Sequence, residues 1–350
     1  MSGAATRTAD YEYDLPSHLI ASRPAVARDQ SRLLVLGPGG TILDRQFPDL
    51  EEYIAPGDAL VLNQTRVFPA RLIGRKPTGA PAEILLVRPR SDLDPTGAVF
   101  EALVRPGGKL KPGRTVDIAP GFRVSIEDSA PGGGRLVRLV GRDDPWDLIE
   151  RYGRVPLPPY IDREDDESDR ERYQTVFAKD RGSVAAPTAG LHFTRPLLDR
   201  LEARGVRVVR ITLHVGIGTF RPVSASRAED HELQAEWYRV DAAAARTLNE
   251  VRDAGGSVFA VGTTSVRTLE SVVEPGGRFR PGEGWTDLFI HEPFEFRAVN
   301  ALVTNFHLPR SSLLMLVSAL AGRERVLAAY AHAVEQEYRF YSYGDAMVIV

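Results

Sequence analysis

Gly182-Ser-Val-Ala-Ala-Pro-Thr-Ala-Gly-Leu-His-Phe-Thr194 runs into Arg195-Pro-Leu-Leu-Asp-Arg-Leu-Glu-Ala-Arg-Gly205 and then into Val206-Arg-Val-Val-Arg-Ile-Thr-Leu213. The order is a loop of small residues, an amphipathic helix and a β-branched apolar run. Thr194 suits a helix N-cap and Gly205 its stop, with Leu197, Leu198 and Leu201 on one face. The rhythm continues downstream. Asp241 opens an alanine-rich helix that stops at Gly255-Gly256, and a strand over 258–261 follows. Ser311 or Ser312 opens an apolar helix, and 324–338 forms another. Helices alternating with apolar strands predict an α/β body, with a mostly parallel sheet and flanking helices.

Upstream, the short apolar runs 32–36 and 59–63 are bounded by Gly and Pro and read as buried strands. Residues 71–142 change character. Five short strand candidates (83–88, 99–104, 115–118, 122–126 and 135–140) are separated by Pro-Gly turns. Closely spaced short strands predict a small antiparallel β-barrel, inserted because the helix–strand rhythm resumes afterwards. The expected division is a catalytic body formed by 1–70 and 143–350, with the barrel over 71–142. Asp144 and Pro145 open a short helix to Tyr152. The charged run 162–172 is expected to be an exposed, mobile loop.

The chain has 350 residues, no cysteine and a formal net charge of −3. Disulfides, thiolate metal sites and cysteine nucleophiles are therefore excluded. The polar N-terminus lacks the apolar core of a signal peptide, and no apolar run is long enough for a membrane helix. The expectation is a cytoplasmic protein with no membrane partner. A nucleic-acid binder more often carries a basic surplus, so an RNA partner would need a local patch.

Four strand ends carry polar residues and glycines. They are the opening loop with Ser183, Thr188, Gly190 and His192; His214-Val-Gly216-Ile-Gly218-Thr219; Gly262-Thr263-Thr264-Ser265-Val-Arg267; and Thr304-Asn305-Phe-His307. One such junction is ordinary. Four suggest a composite pocket, because ligands in open α/β sheets bind beyond the carboxyl ends of strands. Histidines at such ends are either hydrogen-bonded structural groups or bases that titrate near neutral pH. No His-x3-His or His-Glu-x-x-His pattern occurs, so no metal is expected. Walker and Gly-x-Gly-x-x-Gly phosphate loops are also absent.

These segments resemble the S-adenosylmethionine:tRNA ribosyltransferase-isomerase family. So do Tyr13-Asp-Leu-Pro16, Asp58-Ala-Leu-Val-Leu-Asn-Gln-Thr-Arg-Val67, Val155-Pro-Leu-Pro-Pro-Tyr-Ile161, Arg172-Tyr-Gln-Thr-Val-Phe177 and Tyr338-Arg-Phe-Tyr-Ser-Tyr-Gly-Asp-Ala-Met347. The resemblance implies transfer and isomerisation of the ribosyl part of S-adenosylmethionine onto 7-aminomethyl-7-deazaguanine in tRNA, giving epoxyqueuosine. S-adenosylmethionine is then a substrate, no cofactor is implied, and the partner is the anticodon of that tRNA. Within the matching segments, His214 and His307 are candidate bases and His192 a donor to the leaving adenine. Asp345 and Tyr343 are candidates to face the sulfonium or the amine. Arg66, Thr188, Gly190, Gly216, Gly218, Thr219, Thr263, Thr264, Ser265, Arg267, Thr304 and Asn305 are candidate substrate contacts.

The resemblance has four departures. Gln234 stands where the family has a second histidine, Ala80 where it has glycine, Pro293-Phe294 where a Pro-Gly is usual, and Asn300 where it has aspartate. Two alternatives therefore stay open: a paralogue acting on another small-molecule or RNA acceptor, and a non-catalytic RNA-binding relative.

Overall fold

The computed structural model describes residues 6–216, 218 and 223–350. The body is built on a nine-stranded mixed sheet. Its centre is four parallel strands in the order β12 (Arg207–Leu213), β3 (Ala59–Asn63), β14 (Val258–Val261) and β16 (Ala301–Asn305). On one flank β13 (Glu236–Val240) pairs antiparallel with β12, and β15 (Gly282–Thr286) antiparallel with β13. On the other, β17 (Ala346–Ile349) runs antiparallel to β16 and parallel to β1 (Arg32–Leu36), and β2 (Ile42–Gln46) closes that edge.

Alternation along β3 shows why the sheet is buried on both faces. Ala59 and Val61 point into one core, with helices α4 (Ala242–Asp253), α5 (Thr263–Val272), α6 (Ser312–Ala321) and α7 (Arg323–Glu335). Leu60 and Leu62 point into the other, with α3 (Arg195–Ala203), Phe47 and Phe193. Two-sided burial makes β3 a continuous apolar run rather than an alternating one. The helix starts follow the side-chain caps read in the sequence. Thr194, Asp241 and Ser311 accept from the backbone N–H of Leu197, Ala244 and Leu314. Asp144 does the same for α1 (Pro145–Tyr152).

The second unit is a closed six-stranded barrel. Its strands are β5 (Arg71–Arg75), β6 (Pro81–Pro89), β7 (Val99–Arg105), β8 (Thr115–Ala119), β9 (Phe122–Ser129) and β10 (Arg135–Val140). Five of these six coincide with the strand candidates. The sixth, β5, was hidden in the polar stretch Arg71-Leu-Ile-Gly-Arg75. Helix α1 and Phe68 cap the barrel core, with Trp146 edge-on to Phe68 and Phe100. Closure removes the exposed strand edges that so short a sheet would otherwise present.

A separate parallel pair, β4 (Thr65–Val67) with β11 (Asp180–Ser183), stands where the chain enters the barrel. The charged run 162–172 is mostly exposed, as expected, but it is anchored at one buried acid. Asp169, only 1% exposed, accepts from both terminal nitrogens of Arg163 and from the Tyr343 hydroxyl. A short helix, α2 (Asp169–Arg172), forms there. A buried carboxylate is tolerated there because arginine and tyrosine satisfy it.

Candidate active site

Beyond the carboxyl ends of β14 and β16 lies a cavity that is partly open to solvent, with about 80 Å³ of free interior volume. Its walls bring together Ala185–Ala189, Val215, Gly262–Thr264, Thr304–Leu308 and Tyr341. Three of the four strand-end segments thus supply several residues, and the fourth supplies Val215. Gly262, at φ +85°, turns the chain from β14 into α5, so the first turn of that helix opens on the cavity at Thr263 and Thr264. The unpaired N–H groups of a helix start favour an anion.

His307 is set by its neighbours. Its Nε2 is 2.8 Å from Thr304 Oγ1, its backbone N–H donates to the Tyr330 hydroxyl, and its carbonyl accepts from Tyr13. Burial pushes its pKa down to about 3, so the ring is neutral at ordinary pH. Asn305 donates through Nδ2 to the Tyr341 carbonyl and faces Nε2 of His192 at 3.0 Å. Its Oδ1 is buried and has no hydrogen-bond partner.

Tyr341 carries the clearest local signal. It is a bulky residue at φ +72°, where side chains with a Cβ clash with their own backbone. Its hydroxyl is buried without a partner. Its ring lies 4.0 Å from that of Tyr160, whose hydroxyl bonds Ser342. Strain and an orphaned polar group at one cavity-lining residue mark a position held for a ligand rather than for stability. The sequence reading passed over Tyr341 for Tyr343. The mark was visible only as two extra tyrosines in Tyr338-Arg-Phe-Tyr-Ser-Tyr343.

The remaining candidates lie around the cavity rather than in its wall. His192 is 4% exposed, bridges Ser31 and Asn305, and is held neutral by burial, which lowers its pKa to about 3. His214 sits on the outer side of Val215. Its ring stacks on Trp237 at 5.0 Å and meets Thr65 Oγ1 at 2.8 Å, and burial lowers its pKa to about 4. Asp345 spends its carboxylate on the backbone N–H groups of Arg32 and Arg339. Tyr343 is bonded to Asp169, Gly190 packs under Phe177 and Thr175, and Ser265 donates to the Val261 carbonyl. Arg66 is exposed on β4. Arg267 is 5% exposed. It pairs with Glu236 and donates to the carbonyls of Thr286 and Leu288. Glu236 also accepts from the Gly216 N–H. This pair underlies a smaller hollow with Gly218, Gln234 and Leu313, and Leu313 also lines the main cavity. Thr219 lies outside the described residues. Among the described residues no group of three or more His, Cys, Asp or Glu is placed to hold a metal ion. Among the described residues no helix is long and apolar enough to cross a membrane.

Two of the four sequence departures have a plain structural reading. Asn300 Oδ1 accepts from the Val258 N–H, a bond that an aspartate would make equally well. At Thr78-Gly79-Ala80 only Gly79 has positive φ, so the turn needs one glycine and not two. Gln234 faces Gly218 in the smaller hollow. Nothing in the structure explains Pro293-Phe294.

Residues 8–349 match a family model described as queuosine biosynthesis protein. Three relatives named S-adenosylmethionine:tRNA ribosyltransferase-isomerase are aligned over nearly full length. The one from Symbiobacterium thermophilum is 53% identical over 98% of this chain and 100% of its own. That from Syntrophomonas wolfei is 51% identical over 98% and 97%, and that from Moorella thermoacetica 49% over 98% and 100%. The crystal structure of S-adenosylmethionine tRNA ribosyltransferase from Thermotoga maritima is similar at TM-score 0.55 and 38% identity. It covers 97% of this chain and all of that one. On these matches, from one end of the fold to the other, the chain belongs to the S-adenosylmethionine:tRNA ribosyltransferase-isomerase family.

Proposed function

We propose that this protein transfers and isomerises the ribosyl moiety of S-adenosylmethionine onto 7-aminomethyl-7-deazaguanine at the wobble position of tRNA. Epoxyqueuosine is formed, and adenine and methionine are released. The observation that carries the reading is the single cavity at the strand ends, with a strained tyrosine and two orphaned polar atoms in its wall. S-adenosylmethionine is a substrate, and no resident cofactor enters the scheme. The acceptor places the enzyme in the cytoplasm with its tRNA. Residues 71–142 act as an inserted domain beside a catalytic body formed by 1–70 and 143–350.

The substrate's chemistry maps onto the wall. Its methionine carboxylate suits the start of α5 at Thr263 and Thr264. Its sulfonium suits the faces of Tyr160 and Tyr341, since a desolvated cation is held by aromatic rings. Asn305, oriented by His192, offers Oδ1 to the adenine amino group. The sulfonium acidifies the C5′ hydrogens, and neutral His307 takes one of them. The departing adenine needs a proton, and the imidazolium so formed has one to return.

Incubation with labelled S-adenosylmethionine tests the reading. Adenine release is expected only with tRNA carrying 7-aminomethyl-7-deazaguanine, and His307→Gln is expected to lower it about 100-fold or more. Release with a different acceptor, or none with this one, overturns it.

A further inference from the structure

His307 is clamped at three points. Its backbone N–H donates to the Tyr330 hydroxyl, its carbonyl accepts from Tyr13, and its ring Nε2 lies 2.8 Å from Thr304 Oγ1. Thr304 stands near the end of β16, and both residues line the cavity. A ring held this way does not swing from one substrate atom to another. Its Nδ1 has no protein partner among the described residues and is not sealed from solvent, so it opens on the cavity. A neutral imidazole carries one hydrogen, so its two nitrogens differ. A base needs its lone pair on the nitrogen that faces the substrate. With Nδ1 as that nitrogen, the hydrogen sits on Nε2 and is donated to Thr304 Oγ1. The threonine hydroxyl then has its own hydrogen left to give. Among the described residues Oγ1 has no second partner, so the cavity is where that hydrogen finds an acceptor.

We propose that Thr304 is a catalytic residue whose hydroxyl carries the proton from His307 Nε2 to the departing adenine. The inference rests on the reaction and the base role of His307 given above, and adds the group that protonates the leaving base. The C5′–H bond breaks, its electron pair stays on the carbon beside the sulfonium, and the proton joins Nδ1. The bond from C1′ to adenine breaks with its pair going to nitrogen. The Thr304 O–H proton passes to an adenine nitrogen as the Nε2 proton passes to Oγ1. Handing the Nδ1 proton back to carbon only reverses the first step, whereas discharge from the other nitrogen moves the reaction forward. His307 ends neutral with its hydrogen on Nδ1, and Thr304 now donates to Nε2 across the same contact. Water entering the emptied cavity returns the hydrogens to their first places.

The test uses the full chain, S-adenosylmethionine and tRNA carrying 7-aminomethyl-7-deazaguanine, in deuterated water. Thr304→Val, Thr304→Ser and His307→Gln are compared with wild type. Adenine release is followed by turnover, S-adenosylmethionine affinity by equilibrium dialysis, and deuterium at C5′ of the recovered S-adenosylmethionine by mass spectrometry. Loss of a general acid corresponds to about 100-fold or more. Thr304→Val should lower kcat for adenine release by that factor, with affinity unchanged, while deuterium builds up at C5′ of the unspent substrate. Thr304→Ser keeps the hydroxyl and should recover release to within about tenfold of wild type. His307→Gln should lose release and deuterium uptake together. Full release in Thr304→Val overturns the relay. So does lost release without C5′ exchange, which leaves Thr304 only orienting the ring, and so does a serine variant no better than valine. If His307→Gln still takes up deuterium, the base role falls and the relay with it. If wild type releases no adenine with this tRNA, the proposed reaction itself falls.

Discussion

Acidification should unfold this protein through its buried histidines, well before its carboxylates titrate. His192 and His307 are 4% and 9% exposed and are held neutral, with burial lowering each pKa to about 3. In the unfolded chain each titrates near 6.5. Between these values the unfolded state binds more protons than the folded one, so stability falls as pH falls. The loss begins near 6.5 and continues down to about 3. At about pH 5 each ring has forfeited ~2 kcal/mol, so the pair forfeits about 4 kcal/mol relative to about pH 7.5. Against a total stability of roughly 5–15 kcal/mol, that is a large fraction. In urea it moves the midpoint by roughly 1 M. The assay is equilibrium unfolding in urea at several pH values, for wild type and for His192→Asn and His307→Asn. Each variant should lose about half of the pH dependence. A wild-type midpoint that stays put across this range refutes the reasoning, and so do variants with the wild-type slope.

The same burial sets the activity profile. The acid limb of kcat/KM for S-adenosylmethionine should be flat from about pH 8 to about pH 6, because a base already neutral has nothing to lose there. A drop with an apparent pKa near 6.5 would contradict the role given to His307. Tyr341→Phe removes a buried hydroxyl that has no partner in the free protein. Thermal melts should show an unchanged or higher stability, by up to ~1–3 kcal/mol, while S-adenosylmethionine affinity falls. Equal affinity in the variant would remove the hydroxyl from the site. Glu236→Ala strands the Arg267 guanidinium at 6% side-chain exposure and leaves the Gly216 N–H unpaired. A loss of about 3–5 kcal/mol is expected in urea unfolding, mostly recovered by adding Arg267→Met. A melt unchanged from wild type would show that the pair does not hold β13 to α5.

What the sequence made legible is what local rules control. Caps, glycine stops and apolar runs place α1, α3, α4, α6 and most strands, because each signal lies within a few residues of the element it sets. Strand β5 escaped because a barrel strand alternates, and its outward Arg71, Ile73 and Arg75 hide Leu72. Helix α5 escaped because its opening Thr-Thr-Ser suggests a loop, and its stability comes from burial between β12 and β14. The pocket segments were found because polar residues at strand ends stand out. Their separate duties were not, since these depend on partners far away in sequence. Arg267 looks like an anion ligand until Glu236 takes it, and Asp345 looks free until two backbone N–H groups claim it. His214 and Val215 are neighbours on opposite sides of one wall. The φ of Tyr341 is a property of the folded backbone that no residue name encodes.

The seat of β17 also bears on how the chain is made. Residues 346–349 are inserted between β16 and β1, deep within the main layer. Strand β1 leaves the ribosome early, yet its parallel partner emerges after more than three hundred residues have followed it. Until then β1 and β16 each present an open flank, and the two halves of the layer have nothing between them. Pairing across so long a span is slow and leaves unpaired edges exposed. Completion of the body therefore waits for β17. Nascent chains stalled just short of residue 346 should recruit chaperones and fall to proteases, while the barrel, whose strands lie between Arg71 and Val140, is already closed.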